Sequence, residues 1–189
     1  MKKATLEATA YAPVEDVYDF FMDFENYAKY SGYVERIRTV REGDYPEWAI
    51  TFKWWIVRYT FRSQLLDYEE HDHIEWELTK DVDVRGKWRF EETTDEDGEP
   101  ATDVELDLWY DPRSVSKMNP VPLFPTSRLI RIVKPVAARH INTVLQRVTQ
   151  ELEGEPREVN FILRYEDTGD FDEFLELVPD DNVEERYER

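Results

Sequence analysis

The sequence predicts an α+β fold: a curved, seven-stranded antiparallel sheet around one long C-terminal helix, with two short helices after the first strand. Two observations lead there. From Tyr33 to Tyr110 apolar and polar residues alternate in runs cut by Gly, Pro, Asp and His turn clusters, the period of half-buried strands. From Ser127 to Glu153 the apolar residues step by three or four instead. Leu129, Ile132, Val133, Val136, Ala137, His140, Ile141, Val144, Leu145, Val148 and Leu152 share one side, and Arg128, Arg131, Arg139, Arg147 and Gln150 fall on the other. Such a helix is about 35 to 40 Å long at ~1.5 Å per residue. No neighbouring segment is helical enough to cover its apolar face, so its partner is the sheet.

The elements follow in order. Lys3 to Tyr11 alternates, Leu6, Ala8 and Ala10 against Thr5, Glu7 and Thr9, and reads as the first strand. Pro13 ends it and fits the opening turn of a helix, where Glu15 and Asp16 meet the positive end of the dipole. Val17, Phe20, Phe21 and Phe24 form the expected buried stripe of that helix. A break at Asp23 to Asn26 precedes a second short helix around Tyr27 and Tyr30. Six further strands are read at Tyr33 to Val40, Trp48 to Trp55, Arg58 to Tyr68, Ile74 to Thr79, Val84 to Glu92 and Thr102 to Tyr110. The turn Thr94-Asp95-Glu96-Asp97-Gly98 leads into the last of them. Between Asp111 and Pro125 four prolines forbid ladder and helix, so a long loop is expected, its Met118, Val121, Leu123 and Phe124 forming a plug or a lid. Pro135 predicts a kink or fresh start in the long helix. The domain is expected to span residues 1–153, followed by an acidic extension over 154–189 that has room for a short strand at Glu158 to Tyr165.

Composition narrows the function. With 189 residues, 41% of them hydrophobic, the chain can enclose one substantial core. There is no cysteine, which removes disulfides and thiolate chemistry. The opening Met1 to Glu7 lacks the apolar core of a secretion signal, and no run approaches the ~20 residues of a membrane span. A cytoplasmic protein is therefore expected, with transient membrane contact left open and no signal for an oligomeric state. A net charge of −19 repels phosphate backbones, which argues against nucleic acid. The same acid excess, 43 Asp and Glu against 24 Lys and Arg, predicts a protein kept soluble in concentrated salt, a halophile's protein.

The run Ala12-Pro13-Val14-Glu15-Asp16-Val17-Tyr18-Asp19-Phe20-Phe21, continuing through Asp23-Phe24-Glu25-Asn26-Tyr27 to Tyr33-Val34-Glu35, resembles the opening of the START-like (SRPBCC) superfamily. The likeness is to its polyketide cyclase/dehydrase and coenzyme Q-binding groups. It implies a helix-grip fold, the same order of elements as read above. It also implies a hydrophobic small-molecule ligand, a lipid, isoprenoid quinone or polyketide-like compound, held in a cavity between sheet and C-terminal helix.

Candidate ligand-binding residues are the aromatics on the concave side, Trp48, Phe52, Trp54, Tyr59, Phe61, Trp76, Trp88, Phe90 and Tyr110, with Val136, His140 and Val144 from the long helix. Buried aromatics usually pack on each other; so many around one helix also fit a pocket for a flat or polyisoprenoid ligand. His140 and Tyr59 are the alternative catalytic residues, since a cyclase or dehydratase needs a proton donor or acceptor at the substrate. No second partner for either can be named, so binding without catalysis is the leading expectation, and a protein-interaction scaffold using loop and tail is a third. His71-Asp72-His73 sits in a turn with Glu69 and Glu70, but the spacing is poor for a closed metal site. There is no GxSxG nucleophile motif and no phosphate-cradling glycine loop, and no cofactor is expected.

Overall fold

The computed structural model describes residues 1–54, 57–111, 113–114 and 143–165. Strand β1 (Lys2–Ala10) leads to helix α1 (Val14–Met22), a 3-10 turn (Phe24–Asn26) and the single-turn helix α2 (Tyr27–Tyr30). Six strands follow: β2 (Val34–Arg41), β3 (Glu47–Trp54), β4 (Val57–Glu69), β5 (His73–Leu78), β6 (Val84–Thr94) and β7 (Pro100–Tyr110). Residues 143–153 are helical, and β8 (Phe161–Tyr165) closes the described chain.

The sheet has eight strands, in the order β2-β3-β4-β5-β6-β7-β1-β8, which corrects the expected seven. The eighth comes from the stretch assigned to the acidic extension. It pairs antiparallel with β1, Ala8 opposite Phe161 and Leu6 opposite Leu163, and so occupies the edge that β1 would otherwise leave open. Val159 and Phe161 are buried by that pairing. Of the expected long helix only residues 143–153 lie within the described part, where Val144, Val148 and Leu152 are half-buried and Arg147 donates to the Tyr30 carbonyl at 3.0 Å. Pro135, the loop residues from Val115 to Pro125 and the tail beyond Tyr165 lie outside it.

Helix α1 starts straight after Pro13, whose φ of −58° is already helical in value, and Glu15 and Asp16 occupy its first turn. Its buried stripe is Val14, Val17 and Tyr18, with Phe20 and Phe21 half-buried, a correction to the expected Phe20 and Phe21. Asp23 accepts from the Asn26 amide and starts the 3-10 turn, so Phe24 is buried from outside α1 and not as part of its stripe.

Register sorts the sheet into two faces. On the inner face Ala8, Val104 and Phe90 form one row, and Leu6, Leu106, Trp88 and Ile74 the next. A third row is Ala4, Leu108, Gly86, Trp76 and Leu65. On β3 and β4, Ile50 faces Phe61, and Phe52 faces Tyr59. The outer face carries charges, among them Asp107, Glu105, Arg89, Lys87 and Glu75.

Candidate functional site

The inner face divides into two halves. Towards α1 it is a packed core in which Leu65 and Ile74 are 0% exposed and Phe90 and Val104 are buried. Tyr18 meets Phe90 edge-on at 5.6 Å, and Phe21 lies 4.5 Å from Trp88 and 5.5 Å from Phe90. Phe24 stacks on Trp48, centroids 4.2 Å apart and planes 13° off parallel. Away from α1 the wall is less covered. Phe52, Phe61, Trp76, Leu78, Leu106, Leu108 and Tyr110 are half-buried, and the rings of Phe52 and Phe61 meet edge-on at 5.4 Å, with Tyr59 4.8 Å from Phe61.

Of the predicted binding residues, Trp48 and Phe90 thus sit in the packed half and Trp88 at the boundary, against Phe21. Phe52, Tyr59 and Phe61 cluster on β3 and β4 in the less covered half, and Trp76 on β5 and Tyr110 on β7 are likewise only partly buried. Val144 lies in the helical residues 143–153. Val136, His140 and the side chain of Trp54 lie outside the described residues.

Tyr59 has a partner that sequence reading did not supply. Its hydroxyl donates to Asp81 Oδ2 at 2.6 Å, and Asp81 holds a left-handed backbone, φ 66°, in the β5–β6 connection. Burial and then this bond push the Tyr59 hydroxyl up to about 12, while the same bond lowers the Asp81 carboxyl. At neutral pH the phenol is therefore a fixed donor to a carboxylate and a poor proton source.

Trp76 lies beside Gly86, and the pairing explains the glycine. A Cβ at Gly86 would overlap the Trp76 indole carbons and come within 2.8 Å of Nε1. The indole occupies the space that a β-carbon on Gly86 would take. Gly86→Ala is therefore expected to destabilise the protein by about 1–3 kcal/mol through overpacking, read as a lower urea midpoint with a changed near-ultraviolet tryptophan spectrum. An unchanged midpoint would mean that the indole moves aside freely. The Trp76 Nε1 is itself buried and has no hydrogen-bond partner among the described residues, a state that costs on the order of 1–3 kcal/mol.

The His71-Asp72-His73 turn gathers more acid than its sequence neighbourhood offers. Asp67 and Glu75, from β4 and β5, come within 4.8 Å of His73, as do Glu69 and Asp72 on its other side. His73 Nδ1 is 2.5 Å from Asp72, and Nε2 is 3.5 Å from Asp67. Glu75, however, already shares its two oxygens between Lys87 at 2.9 Å and Arg85 at 2.7 Å, bonds that hold its carboxyl below the usual range. His71 stands apart, edge-on to Tyr18 at 5.6 Å.

This arrangement of one open antiparallel sheet with helices on its inner face has solved counterparts. TTHA0849 from Thermus thermophilus shares 20% identity, with a TM-score of 0.57 over 80% of this chain and 97% of that one. Zhui aromatase/cyclase from a Streptomyces species shares 17%, TM-score 0.58, over 81% and 94%. The di-domain aromatase/cyclase BexL shares 16%, TM-score 0.52, and the match covers 82% of this chain and 51% of BexL. At these identities the likeness is one of fold. No significantly similar protein was found among curated sequences. The family described as "Polyketide cyclase / dehydrase and lipid transport" matches over residues 1–155. The order of elements, the aromatic inner face and that match agree: the chain belongs to the polyketide cyclase/dehydrase and lipid-transport family, within the START-like superfamily.

Proposed function

We propose that the protein binds a hydrophobic small molecule, a lipid, isoprenoid quinone or polyketide-like compound, on the half of the inner face that α1 leaves less covered. The observation that carries the reading is the step in burial along one continuous apolar wall. Leu65 and Ile74 are sealed, whereas Trp76 and Leu108 in the row of Leu65, Leu106 in the row of Ile74, and Phe61 further along β4 are large apolar groups only partly buried. A ten-carbon chain laid there would gain about 8 kcal/mol at ~0.8 kcal/mol per CH₂ before the costs of association. Among the described residues no helix is long and apolar enough to cross a membrane.

The second reading is an enzyme of the aromatase/cyclase kind, and the Tyr59–Asp81 pair is the feature that favours it, being an acid–base pair at the wall. It ranks lower because the phenol proton is already committed to Asp81 and its pKa is raised to about 12. Native mass spectrometry and solvent extraction of gently purified protein separate the two. Binding predicts a stoichiometric apolar compound that is recovered unchanged and is retained equally by Tyr59→Phe. Recovery of a converted product, lost in Tyr59→Phe, would favour catalysis, and a protein that neither yields nor takes up any apolar compound would overturn the binding reading.

A further inference from the structure

The sheet is covered at one edge and bare at the other. β8 pairs with β1, while no described strand pairs with the outer side of β2. A bare edge strand offers a row of backbone amides and carbonyls to any extended segment. The β2 edge also differs in charge from the rest of the sheet. Elsewhere cations are held by carboxylates: Arg85 and Lys87 by Glu75, Arg89 by Glu105 and Asp107, and Arg164 by Glu7. At the β2 edge Lys29, Arg36, Arg38, Arg41 and Lys53 are exposed, and among the described residues none of them is paired with a carboxylate; Arg41 bonds only the Tyr45 carbonyl. Arg36 and Arg38 stand opposite Thr51 and Ala49 on one face of the strand. The acids nearby are already engaged, Glu35 by Arg58, Glu47 by Arg62 and Glu25 by Thr39, which leaves Glu42 and Asp44 in the β2–β3 connection.

We infer that this edge is the dock of the chain's own acidic C-terminal extension, residues 166–189, which lies along β2 with its carboxylates on Arg36, Arg38, Arg41 and Lys53. The extension holds eleven acids against two arginines, the complement of the edge. It also carries Phe171, Phe174, Leu175 and Leu177, and the edge exposes Val40 and Tyr45. Its reach is sufficient: twenty-four residues extend to about 80 Å, and eight strands at ~4.8 Å spacing set β8 and β2 about 34 Å apart. The tether favours this polyanion over a free one. A free polyanion approaches a chain of net −19, whereas a joined segment meets β2 at high effective concentration. A second copy is a worse occupant, because antiparallel β2–β2 pairing centred on Ile37 sets Arg36 against Arg38. Once docked, the extension covers the second edge of the sheet and is held by charges that salt screens, so rising ionic strength releases it. This inference is independent of the ligand reading above.

The test uses the full, unmodified chain and a carbodiimide, which joins a lysine to a carboxylate only where the two touch; mass spectrometry of the digest reads the links. In ~0.1 M salt the Asp and Glu of the extension should couple to Lys29 and Lys53 in preference to Lys80 and Lys87. Those links should fall about fivefold or more in ~1 M salt, where the Debye length drops from ~10 Å to ~3 Å. The variant Arg36→Gln/Arg38→Gln/Arg41→Gln, which alters exposed side chains outside the core, should lose them to a similar extent in the dilute buffer. A mixture of nitrogen-15 and ordinary chains identifies the source of the docked segment. Links confined to one isotope support docking within the chain, and mixed-isotope links would assign the edge to another copy's extension and overturn the proposal. Extension acids that couple to neither Lys29 nor Lys53, or that couple equally in concentrated salt or in the triple variant, would overturn it as well.

Discussion

Replacing Phe24 by alanine is expected to destabilise the fold by about 3–5 kcal/mol, the range for removing a buried aromatic ring. Phe24 is 4% exposed and belongs to a three-residue 3-10 turn, too short to hold its own position. What holds it is the parallel stack on Trp48 at 4.2 Å, with Tyr27 5.3 Å to its side. Trp48 is a β3 residue, so this one ring ties the α1–α2 segment to the far side of the sheet, while Tyr18 and Phe21 tie it to β6. Truncation removes the apolar transfer energy, opens a cavity and forfeits about 0.5–1.5 kcal/mol of ring–ring interaction. Phe20→Ala is the control. Phe20 is half-buried and touches Phe21 and Tyr30 within the helical segment itself, so its loss should cost less than half as much. Urea unfolding followed by circular dichroism decides; a Phe24→Ala cost below about 1 kcal/mol would show that the cavity collapses and the stack is not the tie.

The strands from Tyr33 to Tyr110 were legible because a period of two survives in sequence whenever one face is apolar, as in Val104, Leu106, Leu108 and Tyr110 against Asp103, Glu105 and Asp107. What local pattern cannot carry is pairing at a distance. β8 has five residues, and its partner β1 lies more than 150 positions earlier, as the Arg164–Glu7 ion pair records with a separation of 157. The stripe Val17, Phe20, Phe21 and Phe24 is a correct helical pattern applied one turn too far, since Asp23 ends α1 before Phe24 is reached. The candidate site shows the same division. Tyr59 and Trp76 could be singled out as aromatics of alternating strands, but the Asp81 that fixes Tyr59 and the Gly86 that lies beneath Trp76 follow from the fold of the β5–β6 connection and the register of β6. An isolated glycine inside a strand pattern was the one available signal for a close approach.

Asp107 is where the rule that polar residues of an alternating strand face water fails most, and its removal should have the second large effect. It lies on the outer face, yet is 3% exposed. Thr5 Oγ1 donates to it at 2.6 Å, Lys3 Nζ stands at 3.0 Å, and Arg89 bridges it to Glu105. Lys3 also lies over the Trp109 ring at 5.6 Å, so the carboxylate is roofed by the side chains that neutralise it. Asp107→Asn leaves Lys3 and Arg89 facing each other across an uncharged amide; breaking a buried pair costs about 3–5 kcal/mol, reduced here to about 2–4 because both cations retain solvent contact. Burial by itself would raise this carboxyl, but the bonds from Thr5, Lys3 and Arg89 outweigh it and leave it below its ordinary 3.8. A folded-state value below the unfolded one means that the unfolded chain takes up the proton first as pH falls. The contribution of Asp107 is therefore complete above the unfolded value, is lost as pH drops from there through the lower folded value, and gives wild-type stability a downward slope in that window. Asp107→Asn has no such proton to bind, so the gap between wild type and variant should be widest near pH 7 and narrow below about pH 4. Urea midpoints taken from pH 7 to pH 3 measure it; a gap that stays constant over that range would mean that Asp107 holds the outer face by shape and hydrogen bonding, with its charge contributing nothing.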